Sequence, residues 1–97
     1  MSVHGEVVIV TGGTSGIGEG CTRHLAEVGA KVVTASIQDA EGAAIEEALR
    51  DAGCNVTFVR TDVSNEDSVK VLVEKTLELH GRIDGVQGRA QGVLVAF

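Results

Sequence analysis

From residue 11 to residue 18 the chain reads Thr11-Gly12-Gly13-Thr14-Ser15-Gly16-Ile17-Gly18, four glycines and three hydroxyl side chains in eight positions. Such a run offers no general acid, base or nucleophile. It offers backbone N–H groups that no side chain shields. Where a run of this kind joins a strand to a helix, the first helical N–H groups are unpaired and the positive end of the helix dipole points at them. The chemistry available there is the holding of an anion, and a pyrophosphate fits that field. Gly12 suits the tight turn out of the strand, Gly16 the close approach of a ligand to the backbone, and Gly18 the packing of helix on sheet. Turn glycines without a ligand have the same composition, so the elements on either side decide between the two readings.

Those elements have the required types. Glu6 to Thr11 is mostly β-branched and apolar without polar alternation, the pattern of a parallel strand buried on both faces. Beyond the glycines, Ile17, Cys21, Leu25 and Val28 fall on one helical face, and Gly29 supplies a left-handed stop. Lys31 to Ala35 predicts a second strand. Asp39 to Ala52 predicts a second helix with Ala44, Ile45, Ala48 and Leu49 facing inward, ended by Gly53. Val56 to Arg60 is a third strand. Ser64, followed three residues later by Asp67, reads as a capping box that opens a third helix with Val69, Leu72, Val73, Thr76 and Leu77 along it, closed by His80-Gly81. A fourth strand is expected from Ile83 onward.

Strands that alternate with helices of this length need right-handed crossovers and a parallel sheet. The expected fold class is therefore α/β, a partial Rossmann-like doubly wound parallel sheet of about four strands in the order 3-2-1-4 with three helices. At 97 residues the chain is long enough for one core only. Residues 1–86 are expected to form a dinucleotide-binding half-domain. Residues 87–97 form an atypical C-terminal tail, whose glycines and polar residues break the rhythm of the rest.

Composition excludes several classes of function. A formal net charge of −6, with only eight Lys and Arg, argues against nucleic acid as a partner. An anionic cofactor must then be held by backbone dipoles. Cys21 and Cys54 are far apart, with no Cys-x-x-Cys and no histidine at ligand spacing, so no metal site is expected and reduced, buried thiols are. The N-terminal residues lack the basic region of a signal peptide, and no apolar run reaches membrane-spanning length, so neither secretion nor a membrane is expected and the location is read as cytoplasmic. His4, His24 and His80 are isolated and are read as surface or helix-end residues.

In this setting the glycine spacing Thr-Gly-x-x-x-Gly-x-Gly resembles the short-chain dehydrogenase/reductase family more closely than the general Gly-x-Gly-x-x-Gly. Thr61-Asp62-Val63-Ser64, after the third strand, is similar to the family's Asp-Val pair, which holds the adenine ring. Gly81-Arg82-Ile83-Asp84-Gly85-Val86 resembles the family's approach to its fourth strand. Together the three segments cover Val7 to Val86. The resemblance implies an NAD(P)-binding site formed by Gly12, Thr14, Ser15, Gly16, Ile17, Gly18, Ser36, Asp62 and Val63, and an oxidoreductase acting on alcohol or carbonyl groups.

Departures from the family matter as much. Its Asn-Asn-Ala-Gly turn is met here by Gly88-Arg89-Ala90-Gln91, in which only Ala90 agrees. The catalytic Asn, Ser, Tyr and Lys that follow in the family have no counterpart, and the chain contains no Tyr at all, so the phenol that serves the family as general acid is missing. No catalytic residue is therefore assigned, and the chain is expected to be inactive by itself. A frameshift, a splice event or engineering would each account for the loss of resemblance after Val86.

NAD-specific members place an acid at the end of the second strand, where this chain has Ser36. NADP-specific members place a base there or in the glycine turn, where it has Ile37 and Ser15. Asp39 is open to two readings, substitute acid or helix N-cap. The lean is to NAD over NADP. The alternative function is a stand-alone nucleotide-binding or interaction module without redox chemistry. A four-stranded sheet with an open edge also predicts self-association.

Overall fold

The computed structural model describes residues 4–12 and 16–88. Seven elements alternate along the chain: β1 (Val7–Thr11), α1 (Gly16–Glu27), β2 (Lys31–Ser36), α2 (Asp39–Asp51), β3 (Val56–Arg60), α3 (Glu66–His80) and β4 (Gly85–Gly88). All strand pairings are parallel and the order is β3-β2-β1-β4, as expected. β4 takes in Gln87 and Gly88, at the boundary where the tail is expected to start; residues 89–97 lie outside the described residues.

The chain steps outward from β1 to β2 to β3, then returns across to the far side of β1. Since each crossover must be right-handed, reversing the direction of travel moves the connecting helix to the opposite face of the sheet. Side-chain packing follows this rule. Val8, Val10, Val32 and Val56 meet Ala26 and Ala30 at the end of α1 and Ile45 and Leu49 of α2 on one face. Ile9, Val33, Ala35 and Val59, the alternate positions, meet Leu72 of α3 on the other, with Ile83 packed against them. β1 is buried at every residue because both faces are covered there.

Two packing expectations are corrected. Ala44 and Ala48 are exposed; the inner face of α2 is Gly42, Ile45 and Leu49. Gly42 lies against the ring of Phe58, which a Cβ there would overlap, so the smallest residue marks the closest approach of helix and strand. Val28 is exposed because α1 has already ended at Glu27, and Ala26 and Ala30 take the inward places. Leu77 is exposed as well, since Leu72 and Thr76 define the buried line of α3.

Capping differs from the expected box. The N-cap of α3 is Asn65, whose Oδ1 accepts from the Ser68 N–H at 3.0 Å. Ser64 lies one residue outside, where its N–H and hydroxyl both donate to Asp62. Asn and Ser cap equally well, and the loop preceding the helix chose between them. Gly29 and Gly81 are left-handed, as expected of helix stops. Cys21 and Cys54 are free and only partly buried beside the core. Among the described residues no helix is long and apolar enough to cross a membrane, and no group of His, Cys, Asp and Glu could hold a metal ion.

Candidate functional site

The C-terminal ends of β1, β2 and β3 lie side by side, and Gly12, Ser36, Asp62 and Val63 lie at or just past them. Gly12 follows β1 and its N–H donates to the Ala35 carbonyl on β2 at 2.7 Å. Ser36 ends β2, and its carbonyl accepts from the Thr61 N–H after β3 at 2.9 Å. Asp62 and Val63 come next on that loop. Gly12 and Thr61, 49 positions apart, are thus linked through Ala35 and Ser36 by two hydrogen bonds, because a parallel sheet gathers every strand's C-terminal end at one edge.

Gly12 has φ +67°, a conformation that favours glycine, and a Cβ built on it would meet nothing within 4 Å. Open space therefore lies over the backbone at the end of β1, just ahead of the N-terminus of α1. Gly16 and Ile17 form the first positions of that helix and Gly18 follows in the same turn. The Gly18 carbonyl accepts from the Thr22 hydroxyl at 3.0 Å, and Thr22, fully buried, also reaches the Thr34 hydroxyl on β2 at 3.5 Å. A pair of buried hydroxyls thereby pins the first turns of α1 to the sheet. Thr14 and Ser15 lie outside the described residues.

Ser36 is buried, and its hydroxyl accepts from the Gln38 N–H at 3.0 Å, turning the chain from β2 toward α2. Gln38 is the N-cap of α2 and makes no side-chain cap bond, so Asp39 is the first helical residue and not the cap. The Asp39 carboxylate instead lies 3.6 Å from Nε of Arg60, the last residue of β3. The sequence reading missed Arg60. Its one signal was position, since an in-register parallel β3 must place its last residue beside Ser36.

Asp62 is held by its own loop. Its Oδ1 accepts from the N–H and the hydroxyl of Ser64, at 3.0 and 2.6 Å, and its N–H donates to the Ser68 hydroxyl at 2.9 Å. The bonds from Ser64, with a smaller contribution from the charge of Arg60, hold its carboxyl below the ordinary carboxylate range. Asp62 is ionised at neutral pH and presented on a fixed loop. Val63 on the same loop and Ile37 after β2 are apolar and 39% and 61% exposed.

The strand order also reverses here. α1 leaves β1 toward one face and α3 reaches β4 from the other, so β1 and β4 flank a switch point, the place where open α/β sheets bind ligands. The two strands run in register from Val8–Gly85 to Thr11–Gly88, and the Thr11 hydroxyl reaches the Gln87 carbonyl at 3.5 Å.

Comparison with known proteins matches this chain to the short-chain dehydrogenase family model over residues 6–92, six residues past the resemblance read from the sequence. An oxidoreductase of Thermotoga maritima is 49% identical over 82 residues, 84% of this chain and 32% of that protein. A short-chain dehydrogenase/reductase from Burkholderia phymatum, solved in complex with NAD, superposes with a TM-score of 0.86 at 35% identity, covering 89% of this chain and 31% of that one. A variant of actinorhodin polyketide ketoreductase solved with NADPH gives 0.83 at 29% identity, covering 92% and 34%. The chain spans about a third of the length of these proteins.

Proposed function

This chain belongs to the short-chain dehydrogenase family, and from that premise we propose that its residues bind the adenosine and pyrophosphate portion of a nicotinamide dinucleotide for an oxidoreductase acting on alcohol or carbonyl groups. The observation that carries the reading is the uncovered backbone at Gly12, left-handed at the end of β1 and four residues ahead of the start of α1. A pyrophosphate needs that arrangement, because N–H groups near a helix N-terminus reach it only where no Cβ intervenes. Gly12, Thr14, Ser15, Gly16, Ile17 and Gly18 would hold the phosphates. Ser36 would face the adenosine ribose, and Asp62 and Val63 the adenine. The group supplies hydride transfer when bound; the residues described here bind and orient it.

NAD is the preferred form in this reading, since Asp39 opens α2 just past β2 and Asp62 lies on the loop after β3. The 97 residues include no Tyr, so a phenolic acid of the family's kind is not among them, and the chain binds without turning over a carbonyl substrate. Free Cys21 and Cys54 suit a reducing compartment, in keeping with the cytoplasm. β4 ends the sheet among the described residues, and its outer edge is the surface through which copies would associate.

Calorimetric titration of the purified chain tests the proposal. Saturable binding of NAD that Gly12→Val abolishes, with the far-UV spectrum unchanged, is the expected result. A folded wild-type chain that takes up neither NAD nor NADP refutes it. Oxidation of NADH above buffer with carbonyl substrates would contradict the inactivity, and a light-scattering mass that stays monomeric at high concentration would contradict association.

A further inference from the structure

The outlet of β2 and β3 carries three charged side chains that the glycine turn does not explain. Arg60 ends β3 beside Ser36 in the parallel register. Its Nε lies 3.6 Å from Oδ2 of Asp39, and its charge also reaches Asp62. Ser36 brings no charge of its own. The Arg60 and Asp39 side chains are 68% and 64% exposed, and a pair so open to water adds little to the stability of a fold. Their placement matters more for what arrives from outside.

Dinucleotide-binding sheets tell their two coenzyme forms apart at the end of the second strand. There an acid accepts from the ribose 2′-hydroxyl, or a nearby arginine takes the 2′-phosphate. This chain holds both kinds of side chain at that place, paired with each other. We infer that Asp39 sets the preference for the unphosphorylated coenzyme by holding Arg60 in an ion pair, and that Arg60 is a latent anchor for a 2′-phosphate. The inference rests on the dinucleotide reading given above. A phosphate monoester carries between one and two negative charges at neutral pH. It would enter a mouth where Asp39 and Asp62 together outweigh the one guanidinium. A neutral 2′-hydroxyl meets no such repulsion, and a carboxylate is the right kind of group to accept from it.

The test is calorimetric titration of NAD and of NADP into the wild-type chain, Asp39→Asn, Arg60→Gln and the double variant, each checked by circular dichroism. Both side chains are exposed, so the fold is expected to survive all three changes. The wild type should favour NAD. Asp39→Asn should tighten NADP by about tenfold, the scale of one hydrogen bond to a charged group, while NAD changes less. Arg60→Gln should weaken NADP further, and the double variant should lose the gain. A wild-type preference for NADP overturns the inference, as does an unchanged NADP-to-NAD ratio in Asp39→Asn or a gain that persists in the double variant. Loss of the underlying reading looks different, because a folded wild-type chain then binds neither dinucleotide.

Discussion

The two sides of this sheet are built to different standards. On the β3 side, α1 and α2 together cover one face, and α2 also closes the edge: the Glu46 carboxylate accepts from the Phe58 N–H at 2.7 Å and Arg50 Nε donates to the Val56 carbonyl at 2.8 Å. On the β4 side a single helix covers the opposite face. Val86, Leu77 and Leu79 remain 37%, 44% and 54% exposed. The outer edge of β4 has no partner strand among the described residues. An edge strand whose polar groups are occupied by side chains is blunted against pairing, and one without them invites it. The half of the sheet that is closed within the described residues is the one that carries Ser36, Arg60 and Asp62, where the adenosine is proposed to bind.

The largest expected effect separates the two cores. Ile45→Ala, under two helices, should cost about 3 kcal/mol in urea denaturation, and Leu72→Ala, under one, about 2, because a less enclosed helix settles into the space it leaves. Equal losses would erase the distinction. Gly42→Ala should cost about 2 kcal/mol, since its Cβ overlaps the Phe58 ring and the α2–β3 contact must open to admit it. A neutral result in the same assay would mean that this contact is slack. Glu46→Ala should cost about 1 kcal/mol by removing the acceptor for the Phe58 N–H. It should also raise aggregation measured by light scattering, turning the protected edge into one like β4.

Acid should loosen the β4 side first. Asp84 accepts from the Val7 N–H at 2.8 Å and donates its own N–H to the Val7 carbonyl, clamping the start of β4 to β1. The bond from Val7 and then the bond from Arg82 hold its carboxyl below the ordinary range. A carboxyl with a lowered folded pKa stabilises fully above its unfolded value, and that contribution disappears as pH falls through the folded one. His80, at the end of α3, is kept neutral by burial and by Lys31, below its ordinary 6.5. The unfolded chain takes up that proton first, so stability falls as pH drops from 6.5 through the lowered value. Hydrogen exchange should therefore show α3 losing protection as pH falls below 6.5, and β4 losing it once pH falls below the ordinary carboxylate value of 3.8, each before β2 and α2. Uniform loss would refute it, and Asp84→Asn should flatten the acid limb of the melting temperature.

Much of this molecule is legible along the chain. The β-branched run at Val7 to Thr11, the helical periodicities and the glycines at 12, 29 and 81 are local signals, fixed by sterics and by periodicity within a few residues. They suffice for the element order, and the handedness of crossovers then leaves little choice of topology. What the chain could not show was which neighbour each element would meet. Ala44 and Ala48 look as apolar as Ile45, yet the inner face of α2 runs along Gly42, Ile45 and Leu49, with Gly42 against the Phe58 ring. Ser64 and Asn65 cap equally well until the folded loop turns Ser64 to Asp62 and sets Asn65 Oδ1 at the Ser68 N–H. Arg60 and Asp39 lie 21 positions apart and become a pair only once β3 lies in register beside β2. Local sterics are written in adjacent residues, whereas these choices depend on which atoms compete for the same space or the same donor, and only folding brings the competitors together.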